Sequence, residues 1–127
     1  MDLKFEDLVL VGLIVCISVY GIQGVVSTSV TVYPAAGTSM EPIIEEGDHV
    51  VVVPAGIRDI SVGDIIVYRS PVPLHDGYFP LVVHRIVDVQ GGVIHTKGDN
   101  RTAMDPFDIP FDRVKGKVMF VVPRERA

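Results

Sequence analysis

An uncharged apolar segment near the N-terminus most constrains how this chain can fold. No charged residue occurs between Asp7 and Glu41, and residues 8–22 are almost continuously apolar. Extended to residue 26, the segment has 19 residues. As an α-helix it would be about 28 Å long at ~1.5 Å per residue, close to the ~30 Å hydrocarbon thickness of a bilayer. The segment therefore predicts a membrane-spanning helix.

Two other interpretations of this segment are a buried core helix and a cleavable signal peptide. A helix that packs on a core normally shows a polar stripe, but this segment has no strongly polar side chain before Gln23. A signal peptide begins with a basic region, whereas residues 1–7 are net acidic. We therefore predict a retained membrane anchor at residues 1–27 and a separate domain at residues 28–127.

The distribution of basic residues predicts the orientation of this anchor. Lys4 precedes the apolar segment, and no lysine or arginine follows it until Arg58. Because basic residues favour the cytoplasmic side, we expect a cytoplasmic N-terminus and a domain on the extracytoplasmic or lumenal face. The chain is then an integral protein of the plasma membrane or of the endoplasmic reticulum.

Composition argues against several classes of function. The formal net charge is −5 and there is no basic block, which disfavours a nucleic acid partner. Cys16, the one cysteine, lies in the apolar segment, so no disulfide can form within the domain. The histidines lack the short spacing of a metal site, and we expect no metal and no cofactor. The four histidines are His49, His75, His84 and His95.

The rest of the chain alternates short β-branched runs with glycine- and proline-containing turns, a pattern typical of strands. Gln90 and the two glycines after it indicate a hairpin, and residues 97–112 are predicted to form a loop. We therefore predict a mainly β fold, with a small β-rich catalytic domain after one N-terminal transmembrane helix. The predicted strands are residues 49–53, 65–68, 81–89, 93–96 and 117–122, and residues 30–33 are β-branched and aromatic.

Ser39 is the first candidate for chemistry, because it lies in a small-residue turn just beyond the predicted anchor. A serine hydroxyl needs a base to take its proton, and a tight turn can direct backbone N–H groups at a developing oxyanion. Gly37 gives such a turn backbone freedom, and Pro42 stiffens its exit. An ordinary loop serine would show the same local composition, so the turn alone does not establish catalysis.

His84 and two aspartates could supply the base and its partner. His84 lies in the middle of an apolar strand, where alternation places it on one face with Val82 and Ile86. A partly buried imidazole needs hydrogen-bond partners for both nitrogens, and a carboxylate can fix its tautomer. Asp99 and Asp105 follow the hairpin in one loop. Either could be that carboxylate, although His84 could equally be a structural histidine and Asp99 a turn former.

Four short blocks in order resemble a known family, the type I signal peptidases, and within it the archaeal and endoplasmic-reticulum branch. The resemblance covers about residues 5–122. It implies a β-rich serine endopeptidase that cleaves signal peptides at the outer face of a membrane. Many members of this branch carry a second, C-terminal transmembrane helix, and no second apolar span follows residue 27 here. The blocks are residues 39–42, 62–65, 84–86 and 97–100.

The resemblance also implies roles for particular residues. Ser39 would be the nucleophile and His84 the general base, at the position where bacterial relatives have a lysine. Asp105 matches the aspartate of the triad, and Asp99 a second aspartate with a supporting role. Many relatives have a serine where this chain has Gly37, so the oxyanion hole would depend on the Ser39 backbone N–H, with Thr38 as a helper.

Substrate contacts are predicted for the residues that flank these positions, with the peptide extended against an exposed strand edge. The predicted contacts are Met40, Pro42, Ile43, Ile44, Val82 and Val83. The expected partners are signal-peptide-bearing preproteins, membrane lipid and accessory subunits of a processing complex.

Two alternatives remain at this stage. One is a serine peptidase of similar architecture with a serine–lysine pair, such as a self-cleaving repressor domain, and Lys97 is accordingly the second candidate for the base. The other is a membrane-anchored β domain that binds or scaffolds without catalysis.

Overall fold

The computed structural model describes residues 4, 6 and 29–125. The predicted membrane-spanning segment, residues 8–26, lies outside them, and so the division into anchor and domain stays a prediction. Across the part of the chain that is described, no helix is long and apolar enough to cross a membrane.

Seven strands form one antiparallel sheet in the order β1-β2-β7-β3-β4-β5-β6, and the mainly β fold is thereby confirmed. Two short 3-10 turns, Ile57–Asp59 and Phe111–Arg113, precede β3 and β7. The strands are β1 (Thr31–Pro34), β2 (His49–Val53), β3 (Ile65–Arg69), β4 (Leu81–Gln90), β5 (Val93–Lys97), β6 (Ile109–Pro110) and β7 (Val114–Val122).

The predicted strands and the observed ones differ mainly at their ends. β2 has the predicted bounds, and β7 begins three residues earlier than expected. The predicted loop at residues 97–112 contains β6, in which Ile109 pairs with Ile94 of β5. Pro110 is tolerated there because β6 is an edge strand, and a proline needs no ladder donor at an edge.

Alternation along β3 divides the core between the two faces of the sheet. Ile66 and Tyr68 belong to one buried cluster with Ile86, while Val67 points to the other face. The second cluster also contains Met40 and Ile44, so the segment between β1 and β2 folds over that face. The remaining buried members are Ile60, Ile94 and Ile109 in the first cluster, and Val50 and Val52 in the second.

Candidate active site

The turn that carries Ser39 is anchored by two buried side chains that follow the serine. Met40 and Ile44 are only 4% and 2% exposed. Two backbone hydrogen bonds close the turn. The Glu41 N–H donates to the Thr38 carbonyl at 3.2 Å, and the Ile44 N–H donates to the Met40 carbonyl at 3.0 Å. The sequence folds this way because apolar side chains four residues apart reach the same core, and Ser39 is left at the surface of the turn.

The segment after β5 clamps this turn through its backbone. The N–H of Asn100 donates to the Ser39 carbonyl at 2.8 Å, and the Asn100 side-chain amide donates to the Thr38 carbonyl at 3.0 Å. Gly98 packs so closely that a Cβ there would lie 2.7 Å from the Ser39 carbonyl oxygen and 3.2 Å from His84 Nε2. A glycine is therefore required for the two segments to meet.

His84 links Ser39 to Asp105. His84 lies in the middle of β4, opposite Ile66 of β3. Its Nε2 is 3.0 Å from Ser39 Oγ, and its Nδ1 is 2.6 Å from Asp105 Oδ2. The side chains of His84 and Asp105 are 12% and 15% exposed, so water does not compete strongly for either bond. Both ring nitrogens thus have the partners that a half-buried imidazole needs.

Two hydroxyl groups donate hydrogen bonds to the Asp105 carboxylate. Thr96 Oγ1 donates to Asp105 Oδ2 at 2.6 Å, and Tyr68 Oη donates to the same oxygen at 3.1 Å. The Asp105 N–H also donates to the Thr96 carbonyl at 2.9 Å. Burial raises the pKa of the Tyr68 phenol well above its ordinary value, so the phenol stays a donor. Asp105 Oδ2 is consequently an acceptor with three donors directed at it.

Asp99, the other aspartate of this loop, pairs with Arg85 and not with His84. Arg85 Nε and Nη2 donate to its two carboxylate oxygens at 2.9 and 2.8 Å. These hydrogen bonds hold the pKa of Asp99 below its usual range. Arg85 also donates to the Gly63 carbonyl at 2.7 Å. Asp99 therefore fixes the segment that carries Gly98, and among the described residues its carboxylate forms no hydrogen bond with Ser39 or with the His84 ring.

Lys97, the second candidate for the base, has a different partner. Its ammonium group donates to the Gly98 carbonyl at 3.2 Å. Within residues 29–125 it forms no hydrogen bond with Ser39. The geometry of the described residues therefore favours His84 over Lys97 as the group that contacts the serine hydroxyl.

A cleft of about 500 Å³ opens beside Ser39 and His84. Of the predicted substrate contacts, Met40, Ile44, Val82 and Val83 lie in its wall, whereas the exposed residues Pro42 and Ile43 do not. Of the two positions predicted to support the oxyanion hole, Gly37 lies in the wall and the exposed Thr38 does not. The rest of the wall comes from β1 and the segment after it, with one residue each from β3, β4 and the loop after β5. Those residues are Tyr33, Pro34, Ala35, Ala36, Val67, Leu81 and Arg101.

The sequence interpretation missed Tyr68, Thr96 and Arg101. Alternation does place Tyr68 with Ile66, and Thr96 with Ile94, on the face that becomes the core. A hydroxyl at each inward position was the available signal, because a buried hydroxyl needs a partner. Arg101 lines both the cleft and a smaller recess beside Asp105, and nothing in its sequence context distinguishes it from a loop arginine.

The other histidines lie away from this site. His49 is in β2 and His75 in an exposed loop. His95 bridges Asp88 and Asp108, with nitrogen–oxygen distances of 3.2 and 2.7 Å. Over the residues that the structure describes, no group of three histidine, cysteine or acidic side chains is arranged to hold a metal ion.

Comparison with known proteins identifies the family. The model of the family described as signal peptidase, peptidase S26, matches residues 6–105. Searches of curated proteins and of solved structures give no match. The matched segment contains Ser39, His84 and Asp105, and it extends over most of the chain. On this match, the chain belongs to the signal peptidase family, peptidase S26.

Proposed function

We propose that the chain is a membrane-anchored serine endopeptidase that cleaves signal peptides from exported preproteins, and that it belongs to the archaeal and endoplasmic-reticulum branch of its family. Ser39 is the nucleophile, His84 the general base and Asp105 its orienting partner. The observation that carries this proposal is the hydrogen-bonded chain from Ser39 Oγ through His84 to Asp105, with distances of 3.0 and 2.6 Å. Family membership supports signal peptide cleavage independently.

The first chemical step moves one proton and forms one bond. With its Nδ1–H donated to Asp105, the neutral imidazole has its lone pair on Nε2, where it accepts the Ser39 proton. Ser39 Oγ then bonds to the carbonyl carbon of the scissile peptide, and the carbonyl oxygen becomes an oxyanion. Asp105 stabilises the imidazolium electrostatically, and the Thr96 and Tyr68 hydroxyls donate to the same carboxylate oxygen and hold it in place.

The second step breaks the peptide bond. The His84 imidazolium gives its proton to the leaving amine, and the signal peptide remains esterified to Ser39. Water, deprotonated by the same imidazole, attacks the ester and releases a carboxylate and the free serine. We assign the Ser39 N–H to the oxyanion, because within residues 29–125 this group donates to no other atom. Gly37 has no hydroxyl to add, and Thr38 lies outside the cleft wall.

The cleft supports an extended peptide as substrate. Its wall includes Pro34 of β1, which among the described residues is an edge strand that pairs with β2. It also includes Leu81 and Val83 at the start of β4. A substrate peptide that lies between β1 and β4 would therefore pass Ser39 Oγ. Small apolar side chains suit such a wall, because most of its side chains are apolar and Arg101 is its one arginine or lysine. Main-chain hydrogen bonds to a strand edge would hold the peptide in register.

The membrane location follows from the sequence and supports the same function. The uncharged segment at residues 8–26 ends a few residues before β1. An anchor there would place the cleft near the bilayer surface, where the cleavage site of a signal peptide emerges. Tethering raises the effective concentration of the two partners. The domain is then extracytoplasmic or lumenal, with lipid and accessory subunits as further partners.

Labelling and cleavage together test the proposal. The purified full-length chain in detergent should react with an acylating serine inhibitor and should cut a model preprotein at one site, both detected by intact mass. Ser39→Ala should lose both activities. Thr38→Ala removes a neighbouring hydroxyl and should retain both. A Ser39→Ala variant that still cuts would refute the assignment of the nucleophile, and an unlabelled, inactive wild type would favour the non-catalytic binding domain.

A further inference from the structure

The loop between β3 and β4, residues 71–80, exposes large apolar side chains next to one another. We call it the apolar loop. Val72, Leu74 and Tyr78 are each more than half exposed, and Phe79 is 37% exposed. Several large exposed apolar side chains in one short loop are uncommon on a soluble surface, and such a group often marks a contact with a partner or a membrane. The catalytic chain from Ser39 to Asp105 uses none of these side chains.

The apolar loop satisfies much of its own backbone hydrogen bonding, which lowers the cost of partly removing it from water at a headgroup boundary. Prolines at positions 71, 73 and 80 have no N–H to satisfy. Other N–H groups have partners inside the loop or at its base, so the loop has a defined shape. These bonds are Ser70 to the Pro80 carbonyl (2.8 Å), Val72 to Ser70 Oγ (3.1 Å), Leu74 to the Tyr78 carbonyl (2.8 Å), Gly77 to the Leu74 carbonyl (2.9 Å) and Tyr78 to Asp76 Oδ1 (3.0 Å).

Two arginines flank the aromatic side of the apolar loop. The Arg69 guanidinium lies 5.9 Å from the centre of the Tyr78 ring, and the Arg113 guanidinium lies 5.4 Å from the centre of the Phe79 ring. Asp76 is the one acidic residue of the loop. In a chain with a net charge of −5, this locally cationic rim beside apolar side chains complements an anionic lipid surface.

The direction of β1 relates the apolar loop to the predicted anchor. Because all neighbouring strands are antiparallel in the order β1-β2-β7-β3-β4, β1 runs in the same direction as β4. Thr31 is level with the start of β3 through Val52 and Val118, so a chain that reaches Thr31 along the direction of β1 comes from the side at which β3 ends and β4 begins. The uncharged segment of the sequence finishes just before β1 at Thr31. An anchor and the apolar loop would therefore face the same bilayer.

We propose that the apolar loop inserts its tip into the headgroup boundary of a bilayer that contains anionic lipid, with Arg69 and Arg113 at the level of the phosphates. This inference rests on the proposed membrane location but not on peptidase activity. Leu81 and Val83, which line the cleft, follow the loop directly. Insertion would thus fix the height of the cleft above the membrane, in addition to the tether.

Tryptophan fluorescence tests the insertion directly, because the chain has no tryptophan. The Leu74→Trp variant of the full-length chain should be reconstituted in vesicles of phosphatidylcholine and phosphatidylglycerol with brominated acyl chains. Its emission should be quenched several-fold more strongly than that of Val62→Trp. Val62 is a matched control, since it is 62% exposed and lies just before β3, at the opposite end of the same strand.

Each other outcome contradicts part of the proposal. Equal quenching of the two variants, or quenching of neither, would overturn the insertion. A blue-shifted Leu74→Trp emission without quenching would assign the loop to a protein partner or a second copy of the chain instead. Quenching that does not weaken when phosphatidylglycerol is omitted would overturn the role given to Arg69 and Arg113.

A cleavage assay then links insertion to substrate access. Leu74→Asp should lower kcat/KM several-fold for a preprotein embedded in vesicles and leave cleavage of a short soluble peptide unchanged. Val62→Asp should change neither. Equal loss on both substrates would show that the substitution damages the domain and would contradict the role in access. If the unmodified chain cleaves neither substrate, the proposed function is refuted, whereas the quenching result stays valid.

Discussion

Two histidines on neighbouring strands show how differently one side chain can be used in this domain. His84 of β4 and His95 of β5 both have hydrogen bonds at both ring nitrogens. His84 lies between a hydroxyl and a carboxylate. His95 lies between two carboxylates, those of Asp88 and Asp108, and its distances of 3.2 and 2.7 Å are slightly longer than the 3.0 and 2.6 Å of His84.

The difference between the neighbours lies in whether they can donate a hydrogen bond to the ring. A carboxylate can only accept, so two of them favour an imidazolium that donates through both nitrogens. The hydrogen bond to Asp108, and then the one to Asp88, raise the pKa of His95 above its ordinary value of 6.5. Ser39 can donate, and it leaves His84 free to keep a lone pair on Nε2. A histidine in a strand becomes a candidate base only where one partner carries a proton to give.

The largest expected effect separates the two histidines by activity. His84→Ala removes the base and should lower kcat for preprotein cleavage by about 10⁴- to 10⁶-fold. His95→Ala removes an imidazole of the same size from the next strand and should leave kcat within about twofold, since surface substitutions away from a site are usually mild. Initial rates on a model preprotein in detergent measure both. Comparable losses of kcat in the two variants would show that His84 and His95 do not differ in role as we propose.

The second effect separates the carboxylates. Asp105→Ala leaves the His84 ring without its Nδ1 acceptor and should lower kcat by about 10⁴-fold, as the loss of an orienting carboxylate does elsewhere. Asp108→Ala is the matched control and should have little effect. Asp105→Asn should be intermediate, because a carbonyl oxygen can still accept from the Thr96 and Tyr68 hydroxyls. Full activity of Asp105→Ala would remove Asp105 from the mechanism.

Much of the fold follows from local pattern, and its least predictable parts depend on distant contacts. The β-branched runs indicate β2, β3 and β4 because their apolar periodicity is set within a few residues. β6 consists of two residues only, and it exists because Ile109 finds Ile94 in β5. No local signal reports such a pairing, and a sequence rich in turn formers around it predicts a loop.

In the candidate site, too, some residues can be predicted from local pattern and others depend on distant contacts. The sequence indicates Ser39 and His84 as partners of interest, because a serine in a tight turn and a histidine in an apolar strand are each unusual locally. It offers both Asp99 and Asp105 as the carboxylate, and the structure pairs them with Arg85 and His84 respectively. Which aspartate reaches His84 depends on the path of the loop after Gly98. That path is fixed by the hydrogen bond from the Asn100 N–H to the Ser39 carbonyl, two residues that are 61 positions apart in the sequence.

A smaller effect is expected at Tyr68, which acts through Asp105 as a positioning residue. Tyr68→Phe removes one donor from the carboxylate and keeps the buried ring. A hydrogen bond to a charged group contributes about 1.5–3 kcal/mol, so kcat should fall by roughly tenfold if part of that energy orients His84. KM should stay unchanged, because Tyr68 lies outside the cleft wall. Tyr78→Phe, assayed on a soluble peptide, is the control with an exposed hydroxyl. A rise in KM at constant kcat would contradict the positioning role.

The smallest effect concerns stability at His95 and has a defined sign. Because the pKa of His95 is raised in the folded state, protonation stabilises the fold. That contribution is complete below the pKa of the unfolded chain, near 6.5, and is lost as the pH rises through the higher folded value. His95→Gln should therefore lower the urea midpoint most at mildly acidic pH, and the difference should vanish in alkaline buffer. His75→Gln, in an exposed loop, should show no such trend. A His95→Gln deficit that grows with pH would mean that the two carboxylates do not hold the ring as a cation.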